Sequence, residues 1–317
     1  MNAAPAITVS ALQHHYGDRC AIDNLEFEIA RAEIFAFVGP NGGGKTTLFR
    51  ILSTLMPMQR GKASVLGYDL ATNVGPIRRE IGVVFQSPSL DKKLTVEENL
   101  RHQGHLYGLS ASHLRARREE LLMQVGLADR RSDLVEKLSG GLRRRVELAK
   151  GMLHQPRLLL LDEPSTGLDP AARNDLWSYL RELQENQQVT VVLTTHLLEE
   201  AEKADRVAIL NEGQLVANDT PDALRATVGG DAITIQSKDS PKLAEDIRRE
   251  FGFSVEVLED EVRFEEPEGH RLIAKIVEAF PGCIEAITYA RPSLEDVFID
   301  RTGHRYRQDR IRETEKN

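Results

Sequence analysis

Gly39-Pro40-Asn41-Gly42-Gly43-Gly44-Lys45-Thr46 is the stretch that settles the fold class. It fits the spacing Gly-x4-Gly-Lys-Ser/Thr. Such a loop must bring several backbone N–H groups onto one phosphate, and glycines permit this because no Cβ stands in the way. The helix that follows aims its positive N-terminus at the anion. The context agrees: Glu33 to Val38 is an apolar run before the loop, and Thr46 to Leu55 reads as a helix after it. Lys45 is then placed to reach the β- and γ-phosphates, and the Thr46 hydroxyl to ligate Mg²⁺.

Outward from the loop, Ile81 to Phe85, Leu158 to Leu161, Val189 to Thr194 and Val207 to Leu210 are short runs rich in Val, Leu and Ile. Runs apolar on both faces predict an α/β class with a parallel sheet covered by helices. Between two of them, residues 95–155 read as mostly helical, an insertion that starts with the capping-box form Thr95-Val96-Glu97-Glu98. Leu158-Leu159-Leu160-Leu161-Asp162-Glu163 carries two carboxylates to the C-terminal end of a buried strand, where such sheets bind ligands. There Asp162 is expected to hold Mg²⁺, mainly through water. Glu163 is expected to polarise the water that attacks the γ-phosphate.

The 317 residues carry a net charge of −8 and are 41% hydrophobic, which excludes wholesale disorder and argues against a broad nucleic-acid surface. No apolar run approaches the ~18 residues of a membrane span. MNAAPAITVS lacks the charged start and apolar core of a signal peptide, so a cytoplasmic chain is expected. Cys20 and Cys283 are too few for a disulfide framework and are expected as small buried apolar residues.

Charge changes sharply after Gly229-Gly230, which reads as a linker. Residues 231–300 hold 17 acidic and 8 basic side chains, and the tail 301–317 holds 6 basic against 3 acidic. The predicted domains are therefore 1–230, an acidic accessory domain at 231–301, and a flexible charged tail at 302–317. Within the accessory domain, Ala232 to Gln236, Ser254 to Leu258, Val262 to Glu265 and Ile284 to Tyr289 read as strands. Pro241 to Phe251 and His270 to Phe280 read as helices. The order βαββαβ predicts a small α+β ferredoxin-like sandwich. Leu294, Val297 and Phe298 share one helical face, which is expected to pack on the first domain, on a second subunit, or on its own small core.

Leu138-Ser139-Gly140-Gly141, followed by Leu142-Arg143-Arg144-Arg145, lies just upstream of the Leu158 strand. Together with the two nucleotide motifs it resembles the ATP-binding cassette (ABC) family of transporter ATPases, over roughly residues 7–225. The resemblance implies a P-loop NTPase cassette, a mixed sheet with a helical subdomain at about 87–155, that hydrolyses ATP with Mg²⁺. By it, Tyr16 stacks on adenine. Gly39, Pro40, Asn41, Gly42, Gly43, Gly44, Lys45, Thr46 and Thr47 hold the phosphates. Gln86 contacts Mg²⁺ and the attacking water at a hinge, and His196 senses the γ-phosphate. Ser139, Gly140 and Gly141 face the nucleotide held by a second copy of the cassette, and the loop from Ser165 to Asp169 follows the catalytic glutamate.

The implied partners are that second copy, in a homodimer, and a separate membrane permease, with Pro88 to Leu109 forming its groove. The chain would then lie on the inner face of the cell membrane. Leu142 departs from the family, where glutamine is usual. It and Pro292-Ser293-Leu294-Glu295-Asp296-Val297-Phe298 resemble the drug-resistance branch of daunorubicin-exporter type and its relatives in polysaccharide, sodium and lipid export. No substrate is named by this. Two alternatives stay open: a non-transport cassette, and a regulatory module that holds ATP without turnover. The presence of both Glu163 and His196 argues for turnover. No nucleic-acid partner is expected. Arg143 to Arg145 read as a helix face paired with acidic neighbours, and His102 with His105 as a solvated face.

Overall fold

The structure, a computed structural model, describes residues 4–258, 261–267 and 269–302. β1 (Ile7–Tyr16) and β2 (Arg19–Ile29) form an antiparallel hairpin across the two-residue turn Gly17-Asp18. β3 (Ile34–Val38) follows with all five residues buried, and α1 (Lys45–Leu52) starts directly after the glycine loop. β4 (Arg60–Val65) and β5 (Tyr68–Asp69) complete a four-stranded antiparallel sheet of order β2-β1-β4-β5. α2 (Val74–Glu80) leads into β6 (Ile81–Val84).

Three helices follow: α3 (Val96–Leu106), α4 (Ala111–Gln124) and α5 (Gly140–Met152). Each begins at a side-chain cap that accepts an otherwise orphaned helix N–H: Thr95, Ser110 and Ser139. Thr95 and Glu98 close both bonds of the expected capping box. The chain then returns through β7 (Leu158–Asp162), α6 (Pro170–Gln187), β8 (Thr190–Thr195), α7 (Leu198–Ala201), β9 (Arg206–Asn211) and β10 (Gln214–Asp219). The second sheet has the order β10-β9-β3-β8-β7-β6, parallel from β9 to β6. Its apolar strands match the runs read from sequence to within one or two residues.

The core lies between the two sheets. Phe27 meets Phe37 edge-on at 5.1 Å and Phe35 lies 5.0 Å from Phe37, geometries favoured by the ring quadrupoles. Leu48, Ile51, Leu52 and Ile77 fill the same cluster from α1 and α2.

Contacts divide the chain between Asn218 and Asp219, twelve residues before the division expected after Gly230. The second unit contains α8 (Pro221–Arg225), β11 (Asp231–Gln236), α9 (Ser240–Phe251), β12 (Val255–Leu258), β13 (Glu261–Glu266), α10 (Gly269–Ala279), β14 (Ala286–Ala290) and α11 (Leu294–Thr302). α8 belongs to this unit because it packs on α11. Gly229-Gly230 is therefore internal to it. A Cβ on Gly230 would lie 2.2 Å from the Glu266 carbonyl carbon, so close backbone approach demands glycine there.

The sheet is antiparallel with order β12-β13-β11-β14. Ile233, Ile235, Val262 and Phe264 face Leu243, Ala244, Ile247 and Ile276 of the two longer helices. The predicted face of α11, Leu294, Val297 and Phe298, is buried. Glu259 and Asp260 of the expected turn, and the tail beyond Thr302, lie outside the described residues. The two cysteines differ from expectation: both are exposed, Cys20 on an edge strand and Cys283 in a turn.

Candidate active site

Strands β3, β8 and β7 are neighbours and run parallel, so their C-terminal ends come together at one edge of the sheet. Val38 pairs with Thr195 and Asp162 with Thr194, which fixes the heights at which Gly39, His196 and Glu163 emerge. The glycine loop closes onto α1 through Gly44 at φ +101°, where a Cβ would lie 2.7 Å from the Ala21 carbonyl oxygen. Lys45 is buried, and its ammonium donates to the carbonyls of Gly39 at 2.6 Å and Pro40 at 3.0 Å. Burial pushes its pKa down, while Glu163 and Asp162 push it back up. Thr46 is exposed at the loop's mouth and Thr47 is buried beneath it.

Asp162 ends β7 inside the fold. Its carboxylate accepts from the Thr194 hydroxyl at 2.6 Å, and burial raises its pKa. Glu163 is the hub. One carboxylate oxygen accepts from Gln86 Nε2, Thr166 Oγ1 and His196 Nδ1, each at 3.1 Å. Its backbone N–H is held by Thr194, and its φ of +45° is left-handed, a strained setting for a residue with a Cβ. The bond from His196 is the leading cause that lowers the Glu163 pKa, and the same bond raises that of His196.

These shifts set a pH window. The raised His196 pKa contributes stability fully below its ordinary 6.5, and this is lost as pH rises through the folded value. The depressed Glu163 pKa contributes above its ordinary 4.5, and this is lost as pH falls through the folded value. The difference in urea midpoint between the native chain and His196→Ala should therefore be largest from about pH 4.5 to 6.5 and shrink at higher pH. A difference that grows steadily toward alkaline pH would break the assignment of this pair.

Tyr16, Asn41, Gly42, Gly44, Lys45, Thr46, Thr47 and Glu163 line one cleft. Tyr16 is 46% exposed and its hydroxyl donates to the Met56 sulfur, so its ring stands at the rim. Ser139, Gly140 and Gly141 are not among the cleft residues. Ser139 caps α5 with its hydroxyl on the Leu142 N–H, and it and Gly140 are exposed. Asp169 caps α6, accepting from Ala172 N–H at 2.8 Å.

Sequence reads Arg143 to Arg145 as a helix face paired with acidic neighbours, and the structure pairs Arg145 with Asp175 and Arg144 with Glu147; what the sequence does not show is that Arg144 is only 7% exposed. Its guanidinium donates to the carbonyls of Pro164, Glu163 and Phe85 and to Glu147 at 2.7 to 3.0 Å. The one signal for it was Glu147, three residues on and on the same helix face. His102 and His105 are both exposed on α3.

Residues 22–166 match the family model described as ABC transporter. The daunorubicin resistance ATP-binding protein DrrA2 of Streptomyces coeruleorubidus is 38% identical over 309 residues, covering 95% of this chain and 96% of that protein. The Nod factor export ATP-binding protein I of Bradyrhizobium diazoefficiens is 36% identical, covering 94% and 96%. Among solved structures, a dimeric post-hydrolysis state of an ATP-binding cassette bound to ADP and Pi superposes with a TM-score of 0.62 at 26% identity. It covers 68% of this chain and 98% of that one. With relatives this similar over nearly their whole length, the chain belongs to the ABC transporter family, as one of its ATP-binding, ATP-hydrolysing subunits.

Proposed function

We propose that the chain powers an export system by closing on a second copy of itself around ATP, with each nucleotide shared between the loop of one copy and Ser139 of the other. The observation that carries this is the placement of the site. The loop and Glu163 line one cleft, with Gln86 and His196 hydrogen-bonded to the Glu163 carboxylate, while the cap Ser139 and Gly140 lie exposed outside it. A helix N-terminus open to solvent is suited to an anion brought by another molecule.

The residues fit Mg²⁺. Asp162 offers a buried carboxylate, Thr46 a hydroxyl and Gln86 an amide oxygen. No protein cage of three anionic ligands stands there, in keeping with an ion that keeps waters and phosphate oxygens in its shell. When bound there, such an ion would supply neutralisation of developing phosphate charge. Glu163 accepts the proton of the attacking water, and His196 and Thr166 hold its carboxylate in place.

None of the helices among the described residues is long and apolar enough to cross a membrane. A separate membrane permease would supply the path, with this chain held against it on the inner face of the cell membrane. Ser89, Gln103 and Tyr107 line a hollow with Arg78, Glu147 and Lys150, which suits the permease groove expected over 88–109. Drug, lipid or polysaccharide cargo fits the daunorubicin-resistance and Nod-factor-export names of the relatives. The strand order β12-β13-β11-β14 with α9 and α10 on one face supports a ferredoxin-like sandwich that assembles or modulates the complex. α3, α4 and α5 are at most 14 residues long, so no long coiled coil favours a DNA-repair cassette.

Ser139→Arg and Lys45→Ala chains should each be nearly inactive in ATP hydrolysis, and their mixture should regain part of the wild-type rate through one composite site per dimer. A mixture as inactive as its components, together with no crosslink between residue 139 and the 39–46 loop of the other copy, would overturn the shared site.

A further inference from the structure

Arg19 has no role in the site described above, yet the hairpin places it there. It is the cross-strand partner of Tyr16 and closes the turn Gly17-Asp18, so the two side chains stand on the same face. Both line the cleft with Asn41, Gly42, Lys45 and Thr46. A guanidinium nitrogen of Arg19 lies 3.3 Å from the point that a Cβ on Gly42 would occupy. The cation thus hangs over the middle of the glycine loop. Its side chain is exposed and makes no hydrogen bond or ion pair among the described residues. An unpaired guanidinium beside a loop shaped for anions is a ready donor, because its planar fork matches phosphate oxygens two at a time.

We propose that Arg19 is a nucleotide-binding residue that clamps the phosphate chain from the open side of the loop while Tyr16 takes the base. The proposal rests on the reading of residues 39–47 as a phosphate loop. Lys45 approaches the phosphates from beneath, from the first turn of α1, and Arg19 covers them from the β1–β2 hairpin. Because Tyr16 and Arg19 share one rung of that hairpin, base and phosphates are gripped by a single rigid unit. Selection for a nucleoside triphosphate over a bare nucleoside then follows from the spacing of one aromatic and one cation.

The test is competition against a fluorescent ATP analogue on the full chain, with tripolyphosphate and adenosine as competitors. Arg19→Ala should weaken binding of the analogue about tenfold and of tripolyphosphate by a similar factor, the usual size for losing a hydrogen bond to a charged group. Adenosine competition should stay within about twofold, since neutral nucleoside offers no charge to pair. Arg19→Lys should retain part of the effect as a point charge. Tyr16→Ala should show the reverse preference, losing adenosine first. Unchanged tripolyphosphate binding in Arg19→Ala, with the loss intact in Lys45→Ala, would overturn the role of Arg19 and leave the loop standing. Unchanged binding in both variants would remove the loop reading and the proposal with it. Equal losses for adenosine and tripolyphosphate would also overturn it, because the guanidinium would then be serving the Tyr16 ring.

Discussion

Glu163→Gln is expected to bind ATP and to hydrolyse it ~10²–10⁴ times more slowly than the native chain, the usual cost of removing a positioned base. The phosphate-holding groups are elsewhere: Lys45 and the loop backbone lie on the β3–α1 turn, and the substitution leaves them untouched. An amide has the shape of the carboxylate but cannot take a proton from water at neutral pH. Its carbonyl oxygen can still accept from Gln86, Thr166 and His196, but as a neutral acceptor, so those bonds lose their charge-assisted strength. Binding survives while chemistry stops, so an ATP-dependent dimer should accumulate on sedimentation. Steady-state phosphate release near the native rate would show that another group serves as base.

The second large effect is on stability. Arg144→Ala should destabilise the fold by ~3–5 kcal/mol, because truncating one member of a buried pair leaves the other charge without its partner. The partner is Glu147, 4% exposed, whose second oxygen already accepts from the Ser89 N–H. Three carbonyls, of Phe85, Glu163 and Pro164, also lose their donor. Arg144→Met combined with Glu147→Gln should recover part of the loss, since no buried charge then remains. Urea denaturation of the two variants measures this directly. A cost for Arg144→Ala of ~0.5 kcal/mol or less, as at an ordinary surface position, would contradict the burial.

The sequence revealed what glycine and hydrophobic spacing constrain. The phosphate loop was readable because few arrangements other than a close backbone approach need Gly-x4-Gly-Lys-Thr, and β3 and β7 because strands buried on both faces are apolar throughout. Parallel neighbours then bring Gly39, Glu163 and His196 to one edge. The structure places Ser139 as the cap of α5, and the further role the resemblance implies for it cannot be read from a serine before two glycines alone. Arg144 was not legible: charge in a sequence says nothing of burial, and three adjacent arginines point to different sides of a helix. The division at Asn218 was hidden for a related reason. A glycine pair marks a linker or a close packing point equally well, and Gly230 is the latter.

The Arg144 contacts impose a mechanical limit on the helical insertion. They tie the second turn of α5 to the backbone on both sides of the sheet edge, at Phe85 before Gln86 and at Glu163-Pro164 after β7. A rotation of the insertion that keeps those bonds must use Arg144 as its fulcrum. Ser139 is five residues away, about 7.5 Å along the helix at 1.5 Å per residue, and so travels on a short lever arm. A rotation of ~10° moves Ser139 by little more than 1 Å by the same geometry. Any swing of the insertion about those bonds is thus reduced to a fine displacement at the Ser139 cap of α5.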